Sequence, residues 1–191
     1  GVSYTPLQYD WRLAERHYGN LQGLSKERTA VRLGRERVMK WRRSYEARPP
    51  LMTPEHPHYD TINNDPRYRN VKGIPLGESL EDCQKRVVAA WQDIVADVNS
   101  VSGGGTASSS NDSESEYTLV VAHANTLRAL VMHLDEIPSE EIESLNIPTA
   151  IPFYYDIDKA TGKAVSSSHD SIAVDRHETD KIGHGLFRGI Y

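Results

Sequence analysis

His123 and Glu15 are the two side chains whose surroundings in the sequence are best suited to chemistry. His123 closes the apolar run Leu119-Val120-Val121-Ala122 and opens a polar turn, Ala124-Asn125-Thr126. Leu127, Leu130, Val131 and Leu134 then recur at helical spacing. A strand feeding a tight turn and a helix start directs backbone N–H groups at an anion. Ligands of α/β folds gather at that end of the strand. Taken alone, a strand-end histidine more often caps the strand or hydrogen-bonds its own loop. Glu15 lies among Arg12, Arg16 and His17, with Tyr18 following. Cationic neighbours lower a carboxyl pKa, whereas burial or a bound phosphate raises it. A carboxyl among arginines that hold a phosphorylated substrate is therefore a candidate general acid. Without such a substrate, the same cluster reads as a surface ion-pair network.

The basic residues are unevenly placed. Lys26, Arg28, Arg32, Arg35, Arg37, Lys40, Arg42 and Arg43 face only Glu27 and Glu36 within one segment, in a chain whose net charge is −5. An acidic chain with one basic stretch fits a small anion better than nucleic acid, whose binders carry a dominant basic footprint. One cysteine, Cys83, among 191 residues excludes an intramolecular disulfide framework and CxxC metal sites. His56 and His58 form an H-x-H beside two prolines with no carboxylate or cysteine set, a weak metal signal. Neither a long apolar span nor a signal-peptide pattern opens the chain, which places the protein inside the cell, the cytoplasm first.

The elements that must position these groups follow from pattern. Tyr4 to Leu13 alternates apolar with polar residues, and 17–24 is a loop. Ser25 caps a predicted helix that turns Val31, Val38, Trp41 and Tyr45 inward, runs through Gly34 and stops before Pro49-Pro50. Residues 48–77 are irregular and rich in proline, the character of a lid or a disordered segment. Ser79 and Asp82 form a capping box, and Leu80, Cys83, Val87, Trp91, Ile94, Val95 and Val98 trace a helix to about residue 98. The serine- and glycine-rich 99–116 reads as a flexible insertion, as does 165–186. The 119–122 run is predicted to be a strand buried on both faces, with Asn125 or Thr126 as N-cap of the next helix. A short helix over 139–145, a strand over 152–158 and a turn at 160–163 complete the pattern. Cys83, on the apolar stripe, is expected to be buried and inert.

Five stretches in this order and spacing, WRLAERHYGNLQGLSK (11–26), WRRSYEARPP (41–50), GESL (77–80), VVAHANTLR (120–128) and SLNIPTAIP (144–152), resemble the cofactor-dependent phosphoglycerate mutases of the histidine phosphatase superfamily. The resemblance covers most of residues 8–158. It implies an α/β fold, a three-layer α/β/α domain with a mostly parallel sheet, incomplete at its N-terminus. The implied reaction interconverts 3-phosphoglycerate and 2-phosphoglycerate through a phosphohistidine primed by 2,3-bisphosphoglycerate, with no metal. By the same resemblance Glu15 is the proton donor and acceptor and His123 the second catalytic histidine. Arg16, His17, Tyr18, Lys26, Arg42, Arg43, Ala124 and Asn125 contact substrate. A homodimer or homotetramer is the implied assembly, with no nucleic-acid or membrane partner. Ala14 stands where the family usually has asparagine, and Ala124 and Ala150 where it has glycine. The family's R-H-G motif, carrying the nucleophilic histidine, has no match in 1–191. The expectation is a single partial domain, poorly soluble and inactive alone. A phosphatase of the superfamily and a non-catalytic anion-binding module are the alternatives.

Overall fold

A computed structural model describes residues 6–102 and 117–165, with side chains up to residue 100 in the first span. The helices are α1 (Lys26–Leu33), α2 (Arg35–Arg43), α3 (Tyr59–Asn63), α4 (Leu80–Ser102) and α5 (Ala124–Leu134). Short 3-10 turns lie at Trp11–Leu13, Gly19–Leu21 and Pro66–Tyr68.

The core forms where α4 crosses α5. Leu80, Cys83 and Val87 from α4 pack with Ala129, Leu130, Val131, Met132 and Leu134 from α5, and Ile142, Leu145 and Ile147 close the cluster. Helix α4 begins at the expected capping box: Ser79 N donates to Asp82 Oδ2 at 2.9 Å, and Asp82 N donates to Ser79 Oγ at 3.1 Å. It runs past residue 98 to Ser102, so 99–102 is helix. The rest of that proposed insertion, 103–116, and the second one, 166–186, lie outside the described residues.

Several expectations change. The helix predicted through Gly34 is two helices, because Gly34 adopts φ +91°, a region closed to most L side chains. Val38 is buried as expected, but Val31 is 89% exposed. The N-cap of α5 is His123, not Asn125 or Thr126. Those two side chains sit in the first turn and make tertiary bonds instead, Asn125 to Tyr18 and Thr126 to the carbonyl of Ala14. Residues 139–145 form successive turns rather than a helix, closed by Glu141 N to Pro138 O and Leu145 N to Ile142 O.

Strand pairing is sparse among the described residues. The only bridge there is antiparallel, between Ile157 and Ala164. Phe153, Tyr155 and Ile157 face the core while Tyr154 and Asp156 face out, a strand-like alternation. The 119–122 run has no ladder and is not buried on both faces: Leu119 and Val121 are 84% and 82% exposed, whereas Val120 and Ala122 are half-buried. No helix among the described residues is long and apolar enough to cross a membrane.

Candidate active site

Residues 12–18 form an irregular segment laid across α4 and α5, and its path is set by those helices. Arg86 of α4 donates from Nη1 to the carbonyls of Arg12 at 2.6 Å and Ala14 at 3.0 Å, and from Nη2 to that of Glu15 at 3.2 Å. Thr126 of α5 donates to the Ala14 carbonyl at 2.8 Å. Arg86 is itself held by Glu78, through Nε to Oε1 at 2.7 Å and Nη2 to Oε2 at 2.9 Å. Burial acts to raise the Glu78 carboxyl pKa, but bonds from Arg86 and His17 outweigh it and hold it at about 2. The backbone N–H of His17 donates to Glu78 Oε2 at 2.9 Å, and His17 Nδ1 lies the same distance from that oxygen.

Held in this way, the segment brings Glu15 and Tyr18 to the first turn of α5. Asn125 Nδ2 donates to Glu15 Oε1 at 3.2 Å and to the Tyr18 hydroxyl at 2.7 Å. Glu15 Oε1 also accepts from Arg16 N at 2.7 Å. Asn125 Oδ1 accepts from Arg128 Nη1 at 3.0 Å, and Arg128 Nε donates to the carbonyl of Leu145 at 3.1 Å. The guanidinium carbons of Arg16 and Arg42 each lie 4.8 Å from the Tyr18 ring centroid, in cation–π range. Arg16 is 1% exposed; its Nη2 donates to the carbonyls of Trp41 and Arg42 at the end of α2, where a cation also meets the negative pole of the helix. Its Nε and Nη1 are buried and have no hydrogen-bond partner. Burial, with Arg43 nearby, lowers the Arg128 pKa.

The expected site residues divide accordingly. Glu15, Arg16, Tyr18, Arg42 and Asn125 meet in one cluster, and Arg43 joins it through its field on Arg128. His17 turns to Glu78, with its ring 5.8 Å from that of Tyr68. His123 and Ala124 are exposed at the N-terminus of α5, two and one residues before Asn125. Lys26 is exposed at the first residue of α1. Ala124 keeps a negative φ, so alanine in place of glycine carries no backbone strain there; Ala150, at φ +60°, does.

Sequence reasoning missed Glu78, Arg86, Thr126 and Arg128. A signal existed for both arginines. Arg86 sits among the apolar stripe positions of α4 and Arg128 among those of α5, where an unpaired charge is too costly to bury.

His123 thus stands at the N-terminus of α5, and Glu15 beside Arg16 and Asn125 in the first turn that follows it. The chain belongs to the histidine phosphatase superfamily (branch 1), whose family model matches residues 52–166. It is 43% identical over 159 residues to a 2,3-bisphosphoglycerate-dependent phosphoglycerate mutase from Nitratidesulfovibrio vulgaris. That match covers 82% of this chain but 58% of the relative, so the chain spans less than two thirds of the relative's length.

Proposed function

We propose that the protein acts as a phosphoglycerate mutase, interconverting 3-phosphoglycerate and 2-phosphoglycerate in glycolysis and gluconeogenesis with 2,3-bisphosphoglycerate as primer. The observation that carries this reading is Arg16. A fully buried guanidinium with two unpartnered donors is costly unless an anion completes it. Around it Arg42, Arg43 and Arg128 contribute further positive charge beside the carboxylate of Glu15. That surplus suits a ligand with phosphate and carboxylate groups, and the name of the relative supplies the matching chemistry.

In this reading Arg16, Arg42, Arg43 and Lys26 hold the anionic groups of the substrate, and Tyr18 and His17 belong to the same binding loop. Glu15 takes and returns the proton of the substrate hydroxyl. His123, with Ala124 and Asn125 at the positive end of α5, faces the charge that spreads over the phosphoryl oxygens during transfer. When bound, 2,3-bisphosphoglycerate supplies the phosphoryl group that primes the acceptor histidine, a role assigned to no residue of 1–191. The fold that goes with this reading is a three-layer α/β/α domain with a mostly parallel sheet, in a cytoplasmic homodimer or homotetramer.

The test follows 3-phosphoglycerate by phosphorus NMR with the protein as its gene encodes it. Appearance of 2-phosphoglycerate, dependent on 2,3-bisphosphoglycerate and reduced at least about 100-fold in Glu15→Gln and His123→Ala, is the expected result. Release of inorganic phosphate without isomerisation would make it a phosphatase. Binding without turnover would make it an anion-binding module.

A further inference from the structure

The Asn125 side chain hydrogen-bonds both Glu15 and Tyr18, and its amide has two ends of opposite character. Its Nδ2 donates and its Oδ1 accepts, so the direction in which it points decides whether Glu15 faces a donor or a second acceptor. An arginine has donors only. Arg128, 5% exposed on the same helix three residues on, places Nη1 3.0 Å from the Asn125 side chain. The atom that meets it must therefore be Oδ1, and the amide nitrogen is left toward Glu15 Oε1 and the Tyr18 hydroxyl. Arg128 is itself fixed from the other side by its Nε bond to the carbonyl of Leu145.

We propose that Arg128 is a positioning residue for the proton-transfer site: it locks the Asn125 amide with Nδ2 toward Glu15 and Tyr18. This rests on the reading of Glu15 as the proton carrier. With the amide held this way Glu15 Oε1 meets a donor rather than a second acceptor, which fixes where the carboxyl stands to meet the substrate hydroxyl. The charged and titratable groups around Glu15 are Arg16, His17 and Tyr18 on its own segment, and Cys83 and Arg86 from α4. Arg128 acts on it from α5, and from α2 Arg42 packs on the Tyr18 ring while Arg43 acts on Arg128. Arg128 thus has two routes to Glu15, directly through its charge and indirectly through Asn125, and the experiment separates them.

The side-chain amide of Asn125 is followed by proton–nitrogen NMR, without substrate, in the protein as its gene encodes it, and turnover of 3-phosphoglycerate is measured beside it. The two amide protons are expected to be well separated and slow to exchange with water, because Nδ2 is held by Glu15 and the Tyr18 hydroxyl. Arg128→Met is expected to bring the two signals together, to speed their exchange at least about 10-fold, and to lower kcat with little change in KM. Arg128→Lys, which keeps a donor for Oδ1, should retain most of the wild-type pattern. Adding Arg128→Met to Asn125→Leu should cost no further turnover, since Arg128 then has no amide to orient. An Asn125 amide unmoved in Arg128→Met, or a loss that persists undiminished in the Asn125→Leu background, overturns the proposal. So does a wild-type Asn125 amide that exchanges freely, a measurement that stands even where Arg128→Met does not fold. Because the amide signals need no turnover, a protein without mutase activity still decides it, and an active mutase with an unmoved Asn125 amide removes this inference alone.

Discussion

Replacing Glu78 by glutamine should be among the most damaging single-atom changes available to this protein. The carboxylate is 2% exposed, accepts twice from Arg86, accepts the backbone N–H of His17 and lies 2.9 Å from His17 Nδ1. Glutamine keeps one acceptor and presents an amide N–H₂ to a guanidinium, leaving Arg86 buried without its counter-charge. Breaking a buried pair in this way costs about 3–5 kcal/mol. An independent route gives a similar size. The carboxyl is held at about 2 in the folded protein against an ordinary 4.5, worth about 3 kcal/mol at ~1.4 kcal/mol for each pH unit. Because the folded value is the lower one, that stability is fully present above about pH 4.5 and is lost as pH falls toward 2. Urea denaturation at pH 7 should show the midpoint of Glu78→Gln falling by roughly 1–2 M. Repeating the series between pH 5 and 2 should show the difference from wild type shrinking as the native carboxyl protonates. A variant within about 1 kcal/mol of wild type at pH 7, or a gap that stays constant down to pH 2, would refute the reasoning. Removing Arg86 as well should not restore stability, because the carbonyls of Arg12 and Glu15 then lose the donor that meets them, and Ala14 keeps only Thr126.

Three further perturbations have clear signs. A Cβ added at Gly19, where φ is +59°, would collide with the carbonyl oxygen of Pro50, so Gly19→Ala should destabilise by about 2 kcal/mol or more, whereas Ala150→Gly, relieving φ +60°, should stabilise by about 0.5–1 kcal/mol; thermal melting that moves the two in the same direction contradicts this. The Cys83 thiol, pushed up to about 12 mainly by burial, should resist alkylation in the native protein at pH 8 and react at the unfolded rate in urea; fast native labelling would place it elsewhere.

Local signals carried the helices well and the tertiary ones poorly. The Ser79–Asp82 box and the apolar stripe of α4 are visible in sequence because capping and periodicity act within a few residues. Gly34 carried a local warning, yet the choice between a costly helical glycine and a break depends on packing that the sequence does not display. The 119–122 run has strand composition, but composition does not say which segment pairs with it, and no described segment does. At the site, residue types and the family resemblance drew attention to Glu15, Tyr18 and Asn125, which the fold brings together. Arg86 and Arg128 escaped notice because most of their acceptors, the carbonyls of Arg12, Ala14, Glu15 and Leu145, come from other parts of the chain, 17 to 74 residues away, and only Glu78 and Asn125 are nearer.

The hold of Arg86 and Thr126 on the 12–15 segment has one more consequence. Both reach for main-chain oxygens, and two of those bonds converge on the carbonyl of Ala14. Every residue type carries that carbonyl, so the clamp is blind to what is written at the position. Alanine in the place of the usual asparagine therefore leaves the course of the segment unchanged. The scaffold can keep Glu15 on station while neighbouring letters drift, which makes this short stretch a natural place for altered ligand preference to arise without loss of the fold.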